Sequence, residues 1–395
     1  MARRERGRPS LLWIASHLRY PSGHAAELRA FLRALEERGH EPCAIELDVV
    51  DRLGKAVPIG SEELSMLVRQ MERRPGDPVV AVHAYVPKPE RRYQTEAAAN
   101  VARVMFETDR LPDGWADLLA DRDQVWVPSR HNRDVFSRGG VPESKLRILG
   151  ETVDFEAFRP GAEPMDLGAP EGHLVFLSNF DFSERKGWRQ LLLAWARAFD
   201  RRDPVCLVLK TLSVAKWDEE YVRERISHFL ELELGDGAGV APVRILTGRL
   251  GADELPGLYA AAHAYVSASR GEAWGRTYME AMAMERPTVG TRYGGNLDFM
   301  TDEDCWLVDG GLVPVRPHAR VLNELYRGHR WFEVDVDALA AALREIASAP
   351  AAARAKARGT REHLIAAYGH APIADRIAEL ADEALAGSEA AQVGA

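Results

Sequence analysis

Short apolar runs alternate with amphipathic helical stretches along nearly the whole chain, and the alternation is played through twice. Parallel strands need crossovers of about a dozen residues or more, so this pattern calls for parallel sheets with helices laid on their faces. In the first half, residues 11–15 form an apolar run, followed by the turn-rich Tyr20-Pro21-Ser22-Gly23 and the helical spacing Ala25, Leu28, Phe31, Leu32, Leu35. Gly39 suits the left-handed residue that ends such a helix. Further strands are expected at 43–47, 79–82, 101–106 and 124–127. After a proline-bearing stretch, 153–170, the pattern restarts: strands at 173–177, 205–210, 243–246, 263–269 and 288–291, helices at 187–199 and 276–285.

The expected fold is therefore α/β, with two Rossmann-like, doubly wound parallel sheets facing a central cleft. Ligands in such sheets bind beyond the carboxyl ends of the strands. The expected division is an N-terminal domain over residues 1–165, a C-terminal domain over 166–365, and a bracing helix with a frayed tail over 366–395. A chain of 395 residues supports two cores, and 46% hydrophobic with 28% charged residues is an ordinary globular composition.

Composition also excludes some functions. A net charge of -9 argues against general affinity for nucleic acid, which needs a dense basic surface. Cys43, Cys206 and Cys305 are too scattered for a disulfide framework or a metal-ligand pattern, which suits a reducing compartment. An apolar run of 18 or more residues is lacking, as is a secretory-type start, so a cytoplasmic protein without an integral membrane segment is expected.

The most informative stretch is 263–283, which passes from a strand through a loop with Gly271 and Gly275 into a helix. A helix N-terminus presents free N–H groups and a positive dipole end. Trp274, Gly275 and Arg276 are thereby placed to face a phosphate or a sugar hydroxyl. Glu272 lies in the loop and Glu280 about one turn into the helix. Carboxylates only accept hydrogen bonds, so beside a diphosphate their task would be to grip vicinal hydroxyls. On spacing alone, a loop charge at 272 and a surface helix pair at 280 explain them equally well.

With its neighbours, this stretch resembles the retaining glycosyltransferases of family 4, which have the GT-B fold. The family's paired glutamates are matched by Glu272-Ala-Trp-Gly275 and Glu280-Ala-Met-Ala283. The likeness extends to Val127-Pro-Ser129, Val153-Asp154-Phe155, Arg185-Lys186-Gly187, Gly248-Arg249-Leu250, Leu258-Tyr259 and Gly294-Gly295. It implies a nucleotide-diphosphate sugar as donor substrate, with no separate cofactor and no metal. Glu272 would hold the donor sugar and Glu280 the ribose diol. Arg185 and Lys186 would neutralise the diphosphate, with Arg249 and Leu250 also at the nucleotide. His83, after the apolar run 79–82, would meet the sugar in a catalytic role; a core or surface histidine is the competing reading. Gly23 resembles the family's glycine loop, and Glu107 and Asp109 are candidates for reading an acceptor.

One departure weakens the diphosphate site: Asn179 stands where the family commonly has an arginine, leaving Arg185 as its substitute. Transfer to an acceptor hydroxyl with retention of configuration is the implied reaction, the acceptor being a small molecule or glycan rather than a lipid. Nucleotide-sugar epimerisation or hydrolysis, or binding without catalysis, are the rival functions.

Overall fold

A computed structural model describes residues 8–19, 22–47, 60–91, 95–212, 219–234, 239–248, 250–251, 253–317, 319 and 324–393. The chain divides into two units: residues 1–106, 110–153 and 366–395 form the first, and residues 107–109 and 154–365 the second. The division thus falls after Val153, where the proline-bearing stretch begins, and the last thirty residues belong with the first unit.

The first unit holds β1 (Ser10–Ser16), α1 (Gly23–Glu37), β2 (Cys43–Leu47), α2 (Ser61–Glu72), β3 (Val79–Ala84), β4 (Ala99–Arg103), α3 (Trp115–Leu119), β5 (Gln124–Val127), α4 (Arg130–Arg138) and β6 (Leu146–Ile148). Its parallel sheet has the order β2-β1-β3-β4-β5-β6. Ser22 caps α1 by accepting from the Ala25 N–H at 3.2 Å, and Gly39, at φ +82, follows its last turn. The final helix, His370–Val393, lays Ile373, Ile377, Leu380 and Leu385 into the same core as Trp13, Phe31 and Trp126. The strand expected at 101–106 begins two residues earlier and ends three residues earlier. Beyond Arg103 the chain leaves the sheet, and Asn132 fixes Phe106 by bonding both its N–H and its carbonyl at 2.9 Å.

The second unit holds β7 (Leu174–Asp181), α5 (Trp188–Ala198), β8 (Val205–Leu212), α6 (Glu219–Leu234), β9 (Val243–Leu246), α7 (Leu255–Ala260), β10 (Ala264–Val266), α8 (Arg276–Ala283), β11 (Thr288–Thr291), β12 (Trp306–Val308) and an antiparallel hairpin, β13 (Gly310–Pro314) with β14 (Arg330–Val334). Its six-stranded sheet has the order β12-β11-β10-β7-β8-β9, with parallel pairing throughout. Trp188 and Trp195 of α5 are buried with Phe176 and Phe199, and the Trp195 indole N–H finds the Ala241 carbonyl at 3.0 Å, so its polar edge is not stranded. Strand β10 is shorter than expected because the chain turns out of the sheet after the Ser267 N–H has bonded Val289. Helix α8 stops at Ala283, and Glu285 takes the left-handed role of a terminating glycine at φ 52, its carboxylate held by the Gly359 N–H at 2.9 Å. Among the described residues, no helix is long and apolar enough to cross a membrane.

Candidate functional site

The carboxyl ends of β7 and β10 carry the loops that matter. After β7 the chain makes a tight turn over Glu184–Lys186 and then Gly187, at φ +62, opens α5. A Cβ on Gly187 would stand 2.0 Å from the Ala268 carbonyl oxygen, so only glycine lets this turn lie against the loop that follows β10. The two segments are stitched together where the Arg270 N–H donates to the Arg185 carbonyl at 2.7 Å.

This contact brings the Lys186 ammonium within 2.5 Å of the Glu272 carboxylate, while Arg185 reaches the same carboxylate at 3.5 Å and the Gly271 carbonyl at 2.6 Å. Arg185 also pairs with Glu107 at 3.3 Å. The Glu272 main chain is fixed in turn, its carbonyl accepting from Gly295 at 2.8 Å, with Gly294 at φ +106 packed too close for a side chain. Two cations and two carboxylates thus occupy one cluster, and the Lys186 and Glu272 side chains keep 13% and 11% exposure, so small ligands can reach them. Burial opposes ionisation of Glu272, but Lys186 and Arg185 outweigh it and hold its pKa below the usual value. Burial likewise works against Arg185, yet Glu107 and Glu272 lift its pKa above the ordinary one. For Lys186, burial and the Arg185 charge win over Glu272 and the pKa is lowered.

Glu280 belongs to a second, adjoining set. Its carboxylate accepts from the Tyr259 hydroxyl at 2.7 Å and pairs with Arg276, one turn earlier, at 3.3 Å. Tyr259 in turn receives the Asn179 amide at 3.3 Å. Burial raises the Glu280 pKa despite Arg276 and Tyr259. Burial raises the Tyr265 pKa well above its ordinary value, with Glu272 and Glu280 among the lesser charges acting in the same direction. Asn179, where an arginine was expected, is therefore a relay to Glu280, and Arg185 is the guanidinium that stands with Lys186.

The remaining candidates are distributed as follows. Gly275 sits at φ +105 as the residue before α8, and no side chain caps that helix. The Trp274 ring is buried against Phe299 at 5.0 Å, so the indole belongs to the packing beside the helix start. Leu250 is half-buried, and Arg249 lies outside the described residues. Gly23 is the first residue of α1 in the first unit. His83, also in the first unit, is 2% exposed on β3, its ring nitrogens 3.0 Å from the Tyr85 hydroxyl and 2.9 Å from the Asn100 side-chain oxygen. Burial pulls its pKa down to about 4, so it is a neutral histidine partnered within its own unit.

Of the two acceptor candidates, Glu107 pairs with Arg185, and Asp109 accepts from the Arg330 N–H at 2.7 Å, with the intervening Thr108 meeting His329 at 2.6 Å. Sequence reasoning passed over other contributors. Asp335 caps the helix Val336–Ser348, its carboxylate accepting from the Asp337 and Ala338 N–H groups. Tyr259 was visible only as part of a longer match. Among the described residues, no group of three or more His, Cys, Asp or Glu is arranged to hold a metal ion.

Comparison with known proteins bears on this geometry. Residues 171–349 match the family model for glycosyl transferases group 1. Alpha-monoglucosyldiacylglycerol synthase of Streptococcus pneumoniae is 29% identical over 190 residues, which cover 46% of this chain and 40% of that protein. The chain therefore spans about two fifths of the length of the curated relative it matches. Sucrose-phosphate synthase from Thermosynechococcus elongatus superposes over 95% of this chain and 99% of its own, with a TM-score of 0.68 at 19% identity. Anabaena Alr3699/HepE, solved in complex with UDP-glucose, covers 94% of this chain and 99% of its own at a TM-score of 0.63 and 14% identity. The two parallel sheets are those of the GT-B fold, and the residues that match glycosyl transferases group 1, 171–349, include Lys186, Glu272 and Glu280.

Proposed function

We propose that the chain is a glycosyltransferase that moves a hexose-type sugar from a nucleotide-diphosphate sugar to an acceptor hydroxyl, with retention of configuration and without a metal ion. The observation that carries this reading is the Lys186, Arg185 and Glu272 cluster at the strand ends of the second unit. A leaving nucleotide diphosphate gains negative charge as the glycosidic bond breaks, and two fixed cations in a water-poor site stabilise that charge. Lys186 and Arg185 supply them, which is the role a divalent ion would otherwise fill. Glu272, held ionised between these cations, accepts hydrogen bonds from the donor sugar's hydroxyls. Glu280, about one turn into α8, accepts from the ribose diol, and the main-chain N–H groups of Gly275 and Arg276 face the phosphates.

Retention follows from the family likeness: attack on the same face as the departing phosphate, whose oxygen takes the acceptor's proton. A small molecule or a glycan is our reading of the acceptor. Incubating the protein with a panel of nucleotide sugars and acceptors, with and without EDTA, and following the anomeric proton by NMR tests each part. Expected are acceptor-dependent release of nucleoside diphosphate, an unchanged rate in EDTA and a product of the donor's own anomeric configuration. Loss of activity in EDTA removes the metal-free reading, an inverted product removes retention, and release that ignores the acceptor makes the protein a hydrolase. Transfer to a diacylglycerol lipid, as the name of the Streptococcus relative describes for that protein, would correct the acceptor class.

A further inference from the structure

Glu107, Thr108 and Asp109 form a short segment of the second unit that is anchored along its main chain. The Asp109 N–H donates to the Arg330 carbonyl at 3.3 Å, and the Arg330 N–H returns a bond to the Asp109 carboxylate at 2.7 Å. Thr108 is fully buried and meets His329 at 2.6 Å. At the other end of the segment the Glu107 carbonyl lies against Gly271, where a Cβ would stand 2.1 Å from its oxygen. The start of β14 and the loop after β10 together clamp the segment. The Glu107 side chain is thereby delivered to one place without having to hold itself there.

That place is the second arm of Arg185. Nη1 of the guanidinium is spent on the Gly271 carbonyl at 2.6 Å and the Glu272 carboxylate at 3.5 Å, and Nη2 meets Glu107 at 3.3 Å. Burial works against the Arg185 charge, and Glu107, ahead of Glu272, more than restores it. At 27% exposure, against 16% for Arg185, 13% for Lys186 and 11% for Glu272, the Glu107 side chain is the most open member of the cluster.

Two carboxylates and two cations cancel in charge. An ion pair this open to water adds little to stability. What the Glu107 carboxylate does add is a counter-charge on the arm of Arg185 that an incoming anion would take. We propose that Glu107 is a positioning residue acting through Arg185: it holds the open arm of the guanidinium and keeps the cluster neutral, so that a phosphate-bearing ligand must displace it, binds weakly and leaves readily. This rests on the reading above in which Lys186 and Arg185 receive a diphosphate. A residue that merely braced the site would weaken binding on removal, whereas a competing counter-charge does the opposite.

The test titrates wild type, Glu107→Gln and Glu107→Asp calorimetrically with inorganic pyrophosphate and with UDP, ADP and GDP. Glu107→Gln keeps the shape and loses the charge, and should bind pyrophosphate and the preferred nucleoside diphosphate about three- to thirtyfold more tightly, the range for removing a like charge several ångströms away in a partly exposed site. Glu107→Asp keeps the charge and should stay within about threefold of wild type. Should Glu107→Gln fail to fold, Glu107→Ala, which removes the same charge, is read in its place. Unchanged or weaker binding on loss of the charge, in a protein whose wild type binds a diphosphate, overturns the inference and leaves the donor reading intact. An equal gain in Glu107→Asp overturns it too, since charge is then not the cause. Binding of no diphosphate by wild type or by Glu107→Gln overturns both.

Discussion

Glu27 in the first unit and Glu272 in the second are both buried against cations, and the two sets differ in what they leave open. In the first unit Glu27 and Arg103 are both fully buried; Arg103 reaches Glu27 from Nε at 3.0 Å and the Leu149 carbonyl at 2.8 Å, and His24 flanks the carboxylate at 3.4 Å. In the second unit Lys186 and Glu272 remain partly exposed, and a second cation, Arg185, is shared between Glu272 and Glu107. A sealed pair joins helix α1 to strand β4 and has no capacity for a ligand. A pair with an accessible edge, whose guanidinium is shared between two carboxylates, is the one that the proposed function asks to exchange a carboxylate contact for a phosphate. The contrast separates charge used for architecture from charge kept for chemistry, and it can be broken by experiment.

The largest effect should come from the sealed pair. Glu27→Ala leaves Arg103 buried without its counter-charge and should cost about 3–5 kcal/mol of stability, read by denaturant unfolding. A loss under about 1 kcal/mol would mean that water reaches this pair and that the contrast is false. Next comes Glu272→Ala, which should lower transfer by on the order of 100-fold, about 3 kcal/mol in the barrier, while unfolding shifts by only about 1 kcal/mol. Reversed outcomes, with Glu272→Ala unstable and still active, would make the second pair architectural as well.

A smaller effect follows from His83. An unfolded histidine takes its proton near 6.5, whereas this one does so near 4, so between these values the unfolded state holds more protons. Stability should therefore fall as pH drops from 6.5 to 4, by up to ~3 kcal/mol, before protonation of Glu27 and Glu272 adds to the loss. His83→Gln should flatten that slope; an unchanged slope would show that His83 is not the group responsible. The smallest effect is expected at Gly23, where an added Cβ meets nothing within 4 Å. Gly23→Ala inside the first turn of α1 should stabilise by about 0.5 kcal/mol or less, and a clear loss of donor binding in that variant would give this glycine a role in the site.

Much of this was legible before any coordinates. The strands Cys43–Leu47, Gln124–Val127, Val243–Leu246 and Thr288–Thr291 are short apolar runs between turn residues and fall where periodicity puts them. Glu272 was marked by its place in a loop between strand and helix, and Lys186 and Arg185 by the resemblance alone; only the fold brings the three into one cluster. What periodicity missed is of two kinds. Leu146–Ile148 and Trp306–Val308 are three residues long, too short for any period to register, and are made strands by their neighbours. Asn179, Tyr259 and the 107–109 segment act through partners far away in sequence, which no local pattern encodes. Glu280 illustrates the middle case: its spacing from Glu272 marked it, but only the fold shows that Tyr259 and Arg276 hold it.

The central claim is that Lys186 and Arg185 receive the donor's diphosphate while Glu272 holds its sugar. A crystal structure with the preferred nucleotide sugar bound tests this most directly. The account predicts phosphate oxygens within hydrogen-bonding distance of Lys186 and Arg185 and sugar hydroxyls on the Glu272 carboxylate. A donor bound elsewhere, with the Lys186 and Glu272 pair undisturbed, would contradict it.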